Sequence, residues 1–285
     1  MAKTVLFFGD SNTRGYGVGP ERRYATLVED AVRASIGGAW QFVTRSALSD
    51  FRVIRAKLHE VVEQHRPDVL VWQLPTGPAA YFVRYPWWLR PLRRAYASLF
   101  LARKEWSIQR QMRRQGADDV PDTRRAVESE GLYLNAVYRW RPAAWPITRH
   151  ANEFLAARYG LITKATRERY VDFVEKHRHR MREAMDGPIL FVGFVPHSEH
   201  MYPGFDARVT DWSADLARRL HDPAGGSSWV DPYPTLFAGP GHHLLSDGCH
   251  LTPEGHRVLA GIVAPALAPL VHACDSSQQA RYEVS

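Results

Sequence analysis

The chain has 285 residues, 45% of them hydrophobic and 24% charged, which fits one large globular domain or one domain carrying a sizeable insertion. Two cysteines argue against a disulfide framework, and neither a secretory leader nor a bilayer span is expected. The formal charge of +7 is local, because Tyr81–Gln115 holds nine Lys/Arg against one acidic residue and the remainder sums to −1, so the chain as a whole is not expected to bind nucleic acid.

Val5–Phe8 reads as a short buried strand of parallel type, closed by Gly9. Tyr24–Ser35 carries Leu27, Val28, Ala31 and Val32 on one helical face. Trp40, Phe42 and Thr44 alternate as in a second strand, and Asp50 is placed to cap a helix bearing Val53, Ile54, Leu58, Val61 and Val62. Asp68–Leu74 is a third strand, so strand and helix alternate as in right-handed βαβ units with a parallel sheet. The rhythm breaks from Pro75 to about Thr163, where no strand is expected and basic and aromatic residues crowd a mostly helical insertion at about 78–163. It resumes with a helix over Thr166–Met185, a strand over Pro188–Val195, a helix over Asp211–Leu220 and a short strand over Ser228–Asp231. Thr252 followed by Pro253 starts a last helix that runs to about Val271. Its apolar stretch, Val258–Val271, is short and interrupted by Pro265 and Pro269, so it is not expected to span a bilayer, and the expected location is the cytoplasm. The polar tail Asp275–Ser285 is expected to fray.

Ligands gather at the C-terminal edges of the strands in such a sheet. The first strand ends there in Gly9-Asp10-Ser11, which suits a turn and equally a nucleophile. A serine needs a base, and the base an orienting group. Ser246–His256, "SDGCHLTPEGH", offers both: Asp247 lies three residues before His250, and both precede a capped helix.

"FFGDSNT" together with "SDGCHLTPEGH" resembles the SGNH (GDSL-type) serine hydrolases over roughly Lys3–Leu74 and Pro188–Val271. The resemblance implies a flavodoxin-like three-layer α/β/α sandwich with a parallel sheet. It implies Ser11 as nucleophile, His250 as general base and Asp247 as the carboxylate that orients it, with no cofactor. Two family blocks are altered. In "RSALSD" Asp50 stands where the family has an oxyanion-binding Gly, and in "QLPTGPA" Pro75 and Gly77 stand for the Gly and Asn of Gly-x-Asn-Asp. Losing one oxyanion donor typically costs about 10²–10³ in turnover, so another group must serve. The candidates are Ser11, Asn12, Asp50, Thr76 and Gly77, with Gln73 beside them.

"PHSEH", Pro196–His200, with His242 and His243, lacks any recognised metal motif and reads as pocket or surface histidines; Cys249 reads as packing. The insertion's aromatic residues fill a small core of their own, form a lid whose Tyr85, Trp87 and Trp88 meet substrate, or lie with the arginines of 81–115 on an anionic membrane; single-stranded nucleic acid ranks last. The expected activity is cleavage of an ester of a carbohydrate, lipid or small metabolite through an acyl-serine. Acyl transfer from the same intermediate and a catalytically silent binding protein are the alternatives.

Overall fold

The structure is a computed structural model, and it describes residues 3–15, 18–36, 39–47, 51–83, 88, 145–163, 165–197, 204–238, 243–244 and 249–282. Five parallel strands form the main sheet: β1 (Lys3–Gly9), β2 (Trp40–Ser46), β3 (Val69–Gln73), β6 (Ile189–Val192) and β7 (Ser227–Val230), in spatial order β2-β1-β3-β6-β7. The central strands are apolar at successive positions because helices cover both faces. Alternate side chains go to opposite cores. Leu6 and Phe8, Leu70 and Trp72, and Ile189 and Phe191 point to one; Val5 and Phe7, Val69 and Val71, and Leu190 and Val192 point to the other.

The first core is closed by α3 (Phe51–His65), α5 (Arg167–Ala184) and α6 (Phe205–Leu220), through residues such as Leu58, Tyr170, Val174, Val209 and Leu216. The second is closed by α2 (Tyr24–Arg33), α7 (Tyr233–Ala238) and α8 (Pro253–Tyr282), through Val28, Val32, Leu236, Leu259, Val263, Leu267 and Val271. Helix α5 starts as the sequence predicts, with the Thr166 hydroxyl accepting from Arg169 N. The Thr252 hydroxyl likewise accepts from Gly255 N, 3.1 Å away, at the start of α8.

Several boundaries depart from expectation. Helix α6 begins six residues earlier, at Phe205, because Phe205 and Val209 extend the buried stripe of Trp212 and Leu216. Helix α8 passes Val271 and continues to Tyr282. Over Pro253–Asp275 it is long and apolar enough by length and composition to cross a membrane, which corrects the reading from its shorter apolar stretch. The two prolines do not end it; they sit on its exposed outer face while its inner stripe packs on the sheet.

Between β3 and α5 the described residues form β4 (Tyr81–Val83), α4 (Trp145–Tyr159) and β5 (Leu161–Thr163). The expectation of no strand there is corrected: β4 and β5 pair antiparallel in a separate two-stranded sheet, with Phe82 opposite Ile162. Three residues each are too few for a period to register in sequence. Residues 84–87 and 89–144, most of the expected insertion, lie outside the described residues.

Candidate active site

Strand β1 has β2 on one side and β3 on the other, so the direction in which the chain winds reverses at β1. Open α/β sheets bind ligands in the crevice beyond such a switch point. The chain leaves β1 through Asp10 into a one-turn helix α1 (Ser11–Arg14), closed by Gly15 in the left-handed region at φ 80°. Asp10 caps that turn, its carboxylate accepting from Asn12 N at 2.9 Å. The cap sets Ser11 at the first helical position, half-buried at the sheet edge.

His250 reaches this point from the far end of the chain. Its Nε2 lies 2.8 Å from Ser11 Oγ, although 239 positions separate the two residues. Cys249 Sγ lies 3.3 Å from His250 Nδ1, so the thiol predicted as packing contacts the imidazole itself. Asp247 lies outside the described residues, as do Asp50, Tyr85, Trp87, Glu199, His200 and His242.

Asp10 is buried beneath the Ser11 turn. Besides Asn12 N, its carboxylate is approached by Gln73 Nε2 and Thr76 N, each at 3.4 Å. Burial raises its pKa above the usual carboxylate range, against the opposing effects of the Asn12 N–H and the nearby His250. A buried polar chain continues from there. The Thr13 hydroxyl donates to Gln73 Oε1, which leaves Thr13 Oγ1, 3.0 Å away, to accept from the Tyr24 hydroxyl. Tyr24 N in turn donates to His256 Nδ1 at 3.2 Å, so the His256 proton sits on Nε2. Burial, with His250 adding in the same sense, lowers the His256 pKa to about 3 and keeps the ring neutral. The sequence reading missed this chain. Its one legible sign was a second histidine inside "HLTPEGH".

The other predicted residues fall at the same edge or away from it. Thr76 and Gly77 lie in the turn that follows β3, where Ala79 N donates to Thr76 O and Ala80 N to Gly77 O. Asn12 is buried, and both polar atoms of its side chain engage the histidine loop: Nδ2 donates to Cys249 O at 3.3 Å and Oδ1 accepts from Leu251 N at 3.0 Å. Its backbone N–H is held by Asp10. Trp88 is exposed. His197 is buried beyond the end of β6, within hydrogen-bond distance of Pro196 O and stacked on Phe205. Among the described residues, no cluster of three or more His, Cys, Asp or Glu has the geometry to hold a metal ion.

No family model matches the chain, and no curated protein matches it. Solved structures do. A lipase/acylhydrolase from Enterococcus faecalis has 12% identity and a TM-score of 0.54, over 94% of this chain and 96% of its own. TesA has 13% identity and a TM-score of 0.54, over 94% and 99%. An acetylxylan esterase from Geobacillus stearothermophilus, solved as a catalytic mutant, has 12% identity and a TM-score of 0.51, over 92% and 94%. This chain shares their fold. The flavodoxin-like α/β sandwich expected from the sequence is the architecture observed, and at these identities the likeness speaks for the fold alone.

Proposed function

We propose that the chain is an SGNH-type serine hydrolase that cleaves an ester through an acyl-serine at Ser11. One observation carries the reading: Ser11 Oγ and His250 Nε2 lie 2.8 Å apart at the sheet's switch point, brought there from opposite ends of the chain. The acylhydrolase and esterase among the structures of like fold support it.

In this reading Ser11 Oγ bonds to the ester carbonyl carbon while its proton passes to His250 Nε2. Collapse of the tetrahedral intermediate breaks the carbon–oxygen bond to the alcohol, which takes that proton as it leaves. Water then repeats the sequence: His250 accepts its proton, the acid is released and Ser11 regains its hydrogen. Asp247 is the orienting carboxylate. The side chain and backbone N–H of Asn12 are committed elsewhere, as is the Thr76 N–H to Asp10, so oxyanion donation begins with the Ser11 N–H. The substrate class is an ester of a carbohydrate, lipid or small metabolite, bordered by the aromatic segment that includes Tyr85, Trp87 and Trp88.

The test is hydrolysis of short aryl esters by wild type and Ser11→Ala, beside fluorophosphonate labelling followed by intact mass. Turnover and a single adduct are expected, both lost in Ser11→Ala. Folded wild type that gives neither is a binding protein, and the proposal is then wrong.

A further inference from the structure

A serine and a histidine from opposite ends of a chain stay in register only if something ties their two loops together. We infer that Asn12 is that tie, a positioning residue that holds His250 against Ser11; the inference rests on the serine hydrolase reading. Its primary amide meets the two peptide groups that flank His250. Nδ2 donates to the carbonyl of Cys249, and Oδ1 accepts from the N–H of Leu251, at 3.3 and 3.0 Å.

The chemistry selects the residue type. The loop presents one acceptor and one donor two residues apart, and a primary amide answers both from one planar group in a single protonation state. One orientation of that amide satisfies both, since the flipped one would set oxygen against oxygen and N–H against N–H. Asparagine is short enough to do this from the position after the nucleophile. Its own backbone is fixed by Asp10, so the amide inherits the placement of the Ser11 turn. Asn12 is 1% exposed and Leu251 fully buried, so the bond to Leu251 N is shielded from solvent, while the bond to the half-buried Cys249 is partly shielded. Downstream the loop is pinned by Thr252 N to His243 O at 2.8 Å and by the Leu244–Leu251 bridge. Asn12 holds it on both sides of His250. A misplacement of about 1 Å between reacting groups costs about 10²-fold in rate, which is what the tie prevents.

The experiment compares wild type, Asn12→Ala and the isosteric Asn12→Asp, each checked for a cooperative melt. In aryl-ester hydrolysis, kcat falls about 10²-fold in both variants while KM stays within about threefold, because Asn12 does not touch substrate. The acid limb of the pH profile moves to higher pH in Asn12→Asp, where a carboxylate faces the backbone on either side of His250, and not in Asn12→Ala. Ring signals of ¹⁵N-labelled histidine are read in parallel. The His250 signal is single and sharp in wild type and broadened by exchange in both variants. A sharp, unmoved His250 signal in Asn12→Ala overturns the inference, as does a rise in KM with kcat unchanged. Wild type alone supplies a measurement that needs no variant to fold: the Asn12 side-chain amide protons exchange slowly and show through-space contacts to Cys249 and Leu251. Rapid exchange without those contacts overturns the inference. If wild type takes up no phosphonate, the hydrolase reading fails, and the ring and amide spectra still decide whether Asn12 holds the loop.

Discussion

Gly9→Ala tests how tightly the Ser11 turn is set against the sheet. A Cβ at Gly9 would lie 2.0 Å from Thr13 Oγ1, 2.8 Å from Gln73 Cβ and 2.9 Å from Thr13 Cβ. The hydroxyl must retreat by about 1.4 Å to reach an ordinary contact, and Gln73 Cβ, carried on β3, has little freedom to follow. That retreat separates Thr13 from Gln73 and from the Tyr24 hydroxyl, two buried hydrogen bonds with a net contribution of about 1 kcal/mol each. With about 1–3 kcal/mol for overpacking, the expected loss is about 3–5 kcal/mol. For a chain of this size that is roughly 6–20 °C in Tm. Thr13 rides on α1 with Ser11 and Asn12, so fluorophosphonate labelling should slow by about 10²-fold, well beyond any fraction unfolded at 25 °C. The assays are a thermal melt and a labelling time course, with Gly9→Ala/Thr13→Ala beside them to relieve the hydroxyl contact and recover part of both losses. A single variant that melts within 1–2 °C of wild type and labels at the wild-type rate refutes the reasoning.

Three further predictions concern the scaffold. Gly187→Ala would set a Cβ 1.8 Å from the backbone oxygen of Asp68 and should cost about 2–4 kcal/mol in a denaturant melt, whereas Gly160→Ala, at φ 78° with open space around it, should cost only about 1 kcal/mol. Arg66 follows α3 with φ 40°, so Arg66→Gly relieves a left-handed residue and should raise stability by about 0.5–1 kcal/mol in the same assay. His177 is buried between α3 and α5 and bonded to His59 at 2.9 Å; burial, then the charges of His59, Arg180, Lys176 and Arg55, lower its pKa to about 4. The unfolded chain therefore binds a proton that the folded chain refuses. Stability from this site is complete above about pH 6.5 and falls as pH drops toward 4, by at most about 3 kcal/mol. His177→Phe should flatten that part of a stability–pH curve, and an unchanged slope would mean the pair does not couple to folding.

The local pattern in the sequence determined the layers. Val5–Phe8, Asp68–Leu74 and Pro188–Val195 are apolar runs too short for helices, and the helices between them carry single apolar faces, so a parallel sheet covered on both sides follows from period and length. Ser11 and His250 were legible as candidates because a nucleophile and its base would have to be specific residue types at such junctions. Strand order, and with it the switch point at β1, depends on contacts between residues far apart in the chain, and no periodicity encodes it. The same holds for Asn12. As a type it fits an oxyanion donor, a turn or a cap equally, and only the placement of Cys249 O and Leu251 N around it selects the role of tie. Gln73, Thr13, Tyr24 and His256 are ordinary in sequence and become one buried chain only where β1, β3, α1, α2 and α8 converge. Short-range physics wrote the elements into neighbouring residues, while the site was assembled by burial, which acts on whatever the fold brings together.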